Sequence, residues 1–418
     1  MNNAEWISDY QANLLGVFGQ PQACFTHGKG TRVWDADGKE YLDLLAGIAV
    51  NALGYAHPEI VKTIGEQASR FTHVSNFFTT PQQVEAAAAV KNICAAGWDS
   101  AVQAEITCQA RVLFVNSGTE ANEAALKMAL AAQPGGRAIA LKGAFHGRTL
   151  GSLSLTYKAP YREPFAPFVG PTEFVEASVA GIQGVDPKGI EQHLLDPRQE
   201  EAGVIPLAPE VLAAARQLAD QAGALLIFDE VQTGMGRCGK WLAHQGICHD
   251  GKEIIPDVVT LAKGLGAGVP VGACVAMNQR AANALKPGSH GTTFGGNPLV
   301  TAVVARTITL MEELDLPIRA AKVGDAWMQA IADAQIPGIK DTRGQGLLRG
   351  LVLEKNVAPQ LAKALFKAGF IVNAPAANII RLAPPLIIEL EEAKTLIPAL
   401  KEALAQVELD LEKENNHE

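Results

Sequence analysis

The sequence lacks the features that identify several large classes of protein. Its 418 residues contain no apolar run that is long enough and poor enough in polar residues to span a bilayer. The formal net charge is −9 and there is no basic cluster, which argues against a nucleic-acid surface. The first residues lack a basic segment followed by an apolar run, so we expect no secretion signal. These absences predict a cytoplasmic protein without membrane or nucleic-acid partners.

The six cysteines also lack a pattern. They are scattered, with no Cys-x-x-Cys pair, which argues against a zinc site and against a disulfide framework. We therefore expect reduced, partly buried thiols and no bound metal. The rest of the composition is that of an ordinary globular protein, 48% apolar and 19% charged, and the chain is long enough for two domains.

The stretch Leu-Leu-Ile-Phe-Asp-Glu-Val-Gln at residues 225–232 organises the sequence. An apolar run that ends in Asp229 and Glu230 is typical of a buried parallel strand, whose C-terminal edge is where open α/β sheets bind ligands. Lys263 follows a second apolar segment, residues 258–261, between small residues. A carboxylate and a lysine placed in this way suit pyridoxal phosphate, because the lysine forms the Schiff base and the acid keeps the pyridine nitrogen protonated. A solvated loop acid and a surface lysine are the alternative interpretation.

Three glycine-containing loops could line such a site. Residues 116–122 connect a strand to a helix, and their Ser-Gly-Thr turn predicts either an anion site or simple N-capping. Residues 143–149 carry Phe145 and Arg148, which could stack on a planar cofactor and grip a carboxylate, or serve as a core residue and a surface residue. The small residues of 46–54 predict either a tight junction or a ligand wall.

Other segments predict the surrounding elements. A hairpin is expected around Ala36-Asp37-Gly38, and helices over 59–71, 81–96, 209–222 and 299–313. The C-terminal part alternates helix and strand and closes with an amphipathic helix over 391–413. Residues 176–195 lack the apolar pattern of a buried strand, so we expect a poorly packed strand there.

Five segments in this order resemble the class III (ornithine-type) aminotransferases of the fold-type-I pyridoxal phosphate superfamily. The segments are residues 116–124, 145–148, 229–234, 262–263 and 291–298, and the resemblance covers nearly the whole chain. It implies an α/β fold: a large cofactor-binding domain, residues 57–313, with a mostly parallel seven-stranded sheet. A smaller α+β domain would combine residues 1–56 with residues 314–418.

The resemblance also implies roles for individual residues toward pyridoxal 5′-phosphate. Lys263 and Asp229 would be catalytic, Phe145 would stack on the ring, and Gln232 would reach the phenolic oxygen. The implied cofactor-binding set is Ser117, Gly118, Thr119, Phe145, Asp229, Glu230, Val231, Gln232, Lys263 and Thr293. Thr293 would contact the phosphate of the neighbouring subunit, which implies a homodimer.

Four residues would bind substrate by the same resemblance. Arg148, with Thr292 beside it, would bind the carboxylate of the amine substrate, and Arg381 would receive a carboxylate of 2-oxoglutarate or glutamate. Glu201 would mask Arg381 when the amine is bound. The family's Glu-Pro-x-Gln-Gly-Glu motif is altered here, because residues 196–203 read Asp-Pro-Arg-Gln-Glu-Glu-Ala-Gly.

Residues 47–54 and the Phe-His-Gly-Arg-Thr motif are similar to those of family members that act on acetylornithine. The implied reaction moves the δ-amino group of N2-acetylornithine to 2-oxoglutarate and gives N-acetylglutamate 5-semialdehyde and glutamate, a step of arginine biosynthesis. Succinylornithine, ornithine, acetyllysine or 4-aminobutyrate transamination are the neighbouring hypotheses. A catalytically silent homologue with a binding role is the alternative from another class.

Overall fold

The computed structural model describes residues 1–195, 198–199 and 203–415. Its α-helices are α1 (Asn3–Asn13), α2 (Ala46–Ala49), α3 (Pro58–Ala68), α4 (Pro81–Ala95), α5 (Ser100–Gln109), α6 (Gly118–Ala132), α7 (Leu150–Ser154), α8 (Ala159–Arg162), α9 (Val179–Gln183), α10 (Pro209–Ala222), α11 (Gln279–Ala282), α12 (Pro298–Glu313), α13 (Leu316–Asp333), α14 (Ala358–Lys367), α15 (Leu390–Lys394) and α16 (Leu396–Asn415). Short 3-10 helices are Gly16–Phe18, Glu163–Phe168 and Lys263–Gly266.

The β-strands form one large sheet and several small ones. They are β1 (Phe25–Lys29), β2 (Arg32–Asp35), β3 (Glu40–Asp43), β4 (Arg111–Val115), β5 (Arg137–Leu141), β6 (Thr172–Val175), β7 (Ile190–Leu195), β8 (Arg198–Gln199), β9 (Ile205–Pro206), β10 (Leu225–Asp229), β11 (Cys248–His249), β12 (Lys252–Glu253), β13 (Val258–Leu261), β14 (Gly272–Ala276), β15 (Ile339–Gln345), β16 (Leu348–Leu353), β17 (Phe370–Ile371), β18 (Asn373–Ala376) and β19 (Ile379–Leu382).

The large sheet has seven strands in the order β4-β14-β13-β10-β7-β5-β6. The pairs from β13 to β6 are parallel, whereas β14 runs antiparallel to both β13 and β4. Every residue of β10, β13 and β14 is buried. Burial on both faces explains why these strands read as continuous apolar runs. The predicted α/β fold with a mostly parallel seven-stranded sheet is confirmed.

Strand β7 forms within residues 176–195, where the sequence lacks the apolar pattern of a buried strand. The expected poor packing of its side chains stays a prediction. Strand β7 lies between β10 and β5, with Gln192 opposite both Leu225 and Ala138. A strand that is paired on both sides satisfies its backbone hydrogen bonds whatever its side-chain pattern. Tertiary context therefore outweighs the weak local pattern, which is common for β-strands.

Helices cover both faces of the large sheet. Phe228 of β10 belongs to an apolar cluster with Leu212 of α10, whereas the preceding residue, Ile227, belongs to another cluster with Ala125 of α6. Successive strand residues point to opposite faces, so α10 and α6 lie on opposite sides. This layering places the N-terminus of α6 at the edge where β10 ends.

Two four-stranded sheets contain the N-terminal and C-terminal segments. One has the order β1-β2-β3-β17, and β17 pairs in parallel with β3, so it joins the two ends of the chain. The other has the order β15-β16-β19-β18. The division of the chain at residues 56 and 313 stays a prediction.

The closing helix is interrupted, which differs from the single helix expected over 391–413. It consists of α15 and α16, with Thr395 between them. Pro398 has no N–H to donate to the carbonyl of Lys394, so the helical hydrogen-bond ladder cannot be continuous there. Within the described part of the chain, no helix is both long and apolar enough to cross a membrane.

Candidate functional site

A cavity of about 780 Å³ lies at the C-terminal ends of the central strands. It brings together most of the predicted site residues: Ser117, Gly118, Thr119, Phe145, Arg148, Asp229, Val231, Gln232, Lys263 and Arg381. These residues come from distant parts of the sequence and from several loops. The sheet edge predicted from the two apolar strands is therefore the place where they meet.

The N-terminus of α6 opens into this cavity. The Ser117 hydroxyl caps the helix by accepting a hydrogen bond of 3.3 Å from the backbone N–H of Glu120. A Cβ on Gly118 would lie 2.6 Å from Cγ1 of Val231, so glycine lets the helix approach the strand end closely. The first N–H groups of a helix have no acceptor within it and favour an anion. N-capping and an anion site are thus compatible.

Asp229 is fixed at the end of β10 by three donors. Its Oδ2 accepts hydrogen bonds from Nδ2 of Asn122, at 2.7 Å, and from Nδ1 of His146, at 2.8 Å. Its Oδ1 accepts one from the backbone N–H of Val231, at 3.0 Å. All of these side chains are buried or nearly so, and Asp229 lines the cavity. The carboxylate therefore has one orientation.

Lys263 follows β13 and begins a 3-10 helix, where it lines the same cavity as Asp229. Its φ is +46°, in the left-handed region that residues with a Cβ seldom adopt. Such backbone strain is concentrated at functional sites. The unusual conformation, together with the position after a buried strand, distinguishes this lysine from a surface lysine.

A second segment with strained backbone also lines the cavity. Ala46, Gly47, Ile48 and Ala49 all have positive φ, between 52° and 65°, and Gly47 and Ile48 line the cavity. A β-branched residue such as Ile48 is rarely found in this conformation. Of the two interpretations of residues 46–54, the ligand wall is the one that the geometry favours.

Arg148 lies at the cavity beside two aromatic rings. Its guanidinium carbon is 3.4 Å from the ring centroid of Tyr161 and 5.5 Å from that of Phe145. Tyr161 and Lys158 also line the cavity. A guanidinium stacked on an aromatic face is held in place while its N–H groups remain able to bind a carboxylate.

Arg381 reaches the cavity from β19. It is only 2% exposed, and its Nη1 donates a hydrogen bond of 3.1 Å to Oε1 of Gln232. Its Nη2 donates one of 2.8 Å to Oδ1 of Asn373. Two cations, Arg148 and Arg381, therefore share a cavity with Lys263.

Glu230 points away from the cavity into the core. Its Oε1 accepts hydrogen bonds from the backbone N–H of His244, at 3.0 Å, and from Nδ1 of that residue, at 2.8 Å. Its Oε2 accepts one from the Thr233 hydroxyl. This buried carboxylate anchors the turn that follows Asp229, and it does not line the cavity.

The loop with Thr292 and Thr293 also lies outside this cavity. Thr292 lines a second cavity of about 620 Å³, together with His290, whose pKa is lowered by burial. Its hydroxyl accepts a hydrogen bond of 3.1 Å from Nδ2 of Asn116, which lines the first cavity. Thr293 is exposed. Glu201 lies outside the described residues.

Four residues of the site had no predicted role: Asn122, His146, Tyr161 and Asn373. Asn122 and His146 belong to motifs that are visible in the sequence, yet their bonds to Asp229 depend on contacts between residues distant in the chain. Asn373 stands in an unremarkable strand, and only its pairing with β19 brings it to Arg381. No sequence signal identifies such contacts.

The donor set fits pyridoxal phosphate. A phosphate fits the N-terminus of α6, where Gly118 leaves no room for a side chain. An amine, an oriented carboxylate and an aromatic ring line the same cavity, which is what an aldehyde on a basic planar ring requires. No cluster of three or more metal-ligating side chains occurs among the residues that the structure describes.

Comparison with known proteins gives matches over nearly the whole chain. The family model for class-III aminotransferases matches residues 18–404. The acetylornithine aminotransferase of Corynebacterium efficiens is 45% identical over 96% of this chain and 97% of its own length. The enzyme of the same name from Mycolicibacterium smegmatis is 40% identical over 96% and 98%.

Solved structures are similar over the same length. The acetylornithine aminotransferase from Elizabethkingia anophelis gives a TM-score of 0.80 at 29% identity, over 97% of this chain and 100% of that one. An ornithine aminotransferase from Toxoplasma gondii, with pyridoxal phosphate at partial occupancy in its active site, gives 0.85 at 28% identity, over 97% and 96%.

Proposed function

We propose that this chain, which belongs to the class-III aminotransferases, moves the δ-amino group of N2-acetylornithine to 2-oxoglutarate. The products would be N-acetylglutamate 5-semialdehyde and glutamate, as in arginine biosynthesis. Enzymes of this class depend on pyridoxal 5′-phosphate. The names of relatives at 40–45% identity support the choice of substrate. The observation that carries the proposal is that Lys263, Arg148 and Arg381 line one cavity.

Bound pyridoxal phosphate would supply an aldehyde that accepts the amino group and a ring that withdraws electrons from the reacting carbon. Lys263 would hold the aldehyde covalently through Nζ. With acetylornithine in the cavity, the same Nζ would remove a proton from Cδ and deliver that proton to the cofactor. In the glutamate half-reaction Nζ would act at Cα instead.

Asp229 would hold a proton on the ring nitrogen through a charge-assisted hydrogen bond. Hydrogen bonds from Asn122, His146 and the N–H of Val231 hold its carboxylate in one orientation. Asp229 also lines the cavity, which supports this role. Phe145 would cover one face of the ring. Ser117, Gly118 and Thr119 would bind the phosphate at the start of α6.

Arg148 and Arg381 would bind different carboxylates of the two substrates. Acetylornithine has a single carboxylate, far from its reacting amine, and Arg148 would bind it. Glutamate has a second carboxylate on the reacting carbon, and Arg381 would bind that one. A buried cation left without a carboxylate is costly, so an internal carboxylate should serve Arg381 in the amine half-reaction. Glu201 is the candidate from the sequence.

We also propose a homodimer in which Thr293 of each chain completes the cofactor site of the other. Phe77, Phe78 and Phe294 are 93%, 70% and 61% exposed. They belong to adjacent segments, because Nδ2 of Asn76 donates hydrogen bonds to the carbonyls of Thr292 and Gly295. Exposed phenylalanines in two adjoining segments support a protein partner. We propose the cytoplasm as its compartment, as expected from cysteines that are scattered in the sequence without a disulfide pattern.

A steady-state assay tests the substrate. With 2-oxoglutarate as acceptor, kcat/KM for acetylornithine should exceed that for ornithine and for 4-aminobutyrate by at least about tenfold, a factor that pocket contacts can provide. A higher kcat/KM for either competitor would reassign the substrate. Absence of glutamate formation from every ω-amine tested would favour a silent homologue.

A further inference from the structure

Asn373 lies directly opposite Arg381 in the antiparallel pair of β18 and β19. Their bond, from Nη2 to Oδ1, measures 2.8 Å, and both residues line the cavity. Residues opposite each other in a ladder cannot separate without disrupting the sheet. The position of the Asn373 amide relative to the guanidinium is therefore set by the backbone.

The two amide partners of Arg381 must present their oxygen atoms. A guanidinium has only donors, so it can bond Asn373 and Gln232 only through Oδ1 and Oε1. Both are neutral acceptors. A carboxylate forms hydrogen bonds with a guanidinium that are roughly twice as strong as those of a neutral acceptor. An arriving carboxylate can therefore displace the amide oxygen of Asn373, whereas a carboxylate that the ladder holds at position 373 would keep its bond to the guanidinium.

We propose that Asn373 is a specificity-determining residue for the substrate with two carboxylates. It keeps the Arg381 guanidinium in the cavity with a neutral hydrogen bond that the α-carboxylate of glutamate, or the equivalent carboxylate of 2-oxoglutarate, replaces on binding. This inference rests on the proposed function, since it assigns Arg381 to that carboxylate.

The same geometry orients Gln232. With Oε1 accepting from Arg381, its Nε2 is left as a donor, and Gln232 lines the cavity. A phenolic oxygen of the cofactor is an acceptor for it. Asn373 thus contributes indirectly to the orientation of Gln232, because it fixes the guanidinium from the other side.

The test compares Asn373→Asp, Asn373→Ala and wild type, each as cofactor-loaded enzyme, by calorimetric titration with glutarate. Glutarate has both carboxylates and neither an amine nor an oxo group, so it binds without reacting. Asn373→Asp should weaken glutarate binding about tenfold, the worth of roughly one charge-assisted hydrogen bond. Asn373→Ala should weaken it less than about threefold, because glutarate takes over the vacated bond.

Asn378→Asp is the matched control. It adds the same charge in the same hairpin, and Asn378 does not line the cavity, so glutarate binding should stay at the wild-type value. Dissociation constants of Asn373→Asp and Asn373→Ala that differ by less than about threefold would overturn the proposal. If Asn373→Asp fails to fold, a loss of more than about threefold in Asn373→Ala overturns the proposal, and a smaller loss supports it.

Single-turnover rates separate this inference from the proposed function. For each protein, we take the ratio of the rate with glutamate to the rate with acetylornithine. This ratio should be about tenfold lower in Asn373→Asp than in the wild type. If the wild-type enzyme does not react with acetylornithine, the proposed function fails. The glutarate titration would still decide the role of Asn373.

Discussion

The imidazole of His146 and the carboxylate of Asp229 are joined by a hydrogen bond of 2.8 Å between Nδ1 and Oδ2. Both side chains are buried. A carboxylate accepts, so Nδ1 carries the proton. The bond links the loop that carries Phe145 and Arg148 to the end of β10, and it makes His146 a positioning residue for Asp229.

His146→Leu should therefore lower the transamination rate by roughly ten- to a hundredfold, the worth of one hydrogen bond to a charged group. The affinity for the cofactor should fall less, because the phosphate contacts remain. Cofactor titration by absorbance, followed by single-turnover kinetics, measures the two effects. Equal losses in the His146→Leu and Asp229→Asn variants would indicate that His146 does more than orient the acid. A wild-type rate in His146→Leu would show that His146 does not position Asp229 for catalysis.

Tyr161 should act through Arg148, on whose guanidinium its ring is stacked. Tyr161→Leu removes the ring and should raise KM for acetylornithine by roughly three- to twentyfold, as expected for a cation–π contact. The kcat should change less, since the reacting carbon is distant from Arg148. Tyr161→Phe keeps the ring and is the control. If Phe and Leu raise KM equally, the hydroxyl is the important group and the stacking model is wrong.

Mixed dimers test the shared site. Thr293→Asp places a negative charge where the partner's phosphate is expected, and Lys263→Ala removes the amine. A dimer with one chain of each kind has one intact site, so mixing two nearly inactive proteins should restore up to about a quarter of wild-type activity by random exchange. Each variant mixed with itself is the control. If verified exchange restores nothing, each site is contained in one chain.

The thiols should differ in reactivity because burial disfavours the thiolate. Burial raises the pKa of Cys274 to about 12 and also raises that of Cys94, whereas Cys108 and Cys248 are exposed. At pH 8 an aromatic disulfide reagent should react quickly with Cys108 and Cys248. Cys94 and Cys274 should react only after denaturation. Mass spectrometry of the labelled protein identifies the sites, and rapid labelling of Cys274 would contradict its burial.

The sequence predicts the large sheet well because its strands are buried on both faces and read as apolar runs. β10 and β13 are the clearest cases, and their ends locate Asp229 and Lys263 in one cavity. β7 is predicted poorly, since a strand paired on both sides needs no strong pattern of its own. Glu230 is expected to bind the cofactor, but it does not line the cavity. Adjacent to Asp229 in sequence, it points into the core, where the backbone N–H and Nδ1 of His244 donate hydrogen bonds to its carboxylate.

In the proposed reaction, acetylornithine donates its amino group to the bound cofactor. The direct measurement is stopped-flow absorbance of the cofactor-loaded enzyme mixed with acetylornithine, ornithine or succinylornithine without an acceptor, with Lys263→Ala as control. Acetylornithine should convert the absorbance of the whole cofactor, at least about tenfold faster than ornithine, and Lys263→Ala should show no conversion. An enzyme that is converted by glutamate but not by acetylornithine would contradict the account.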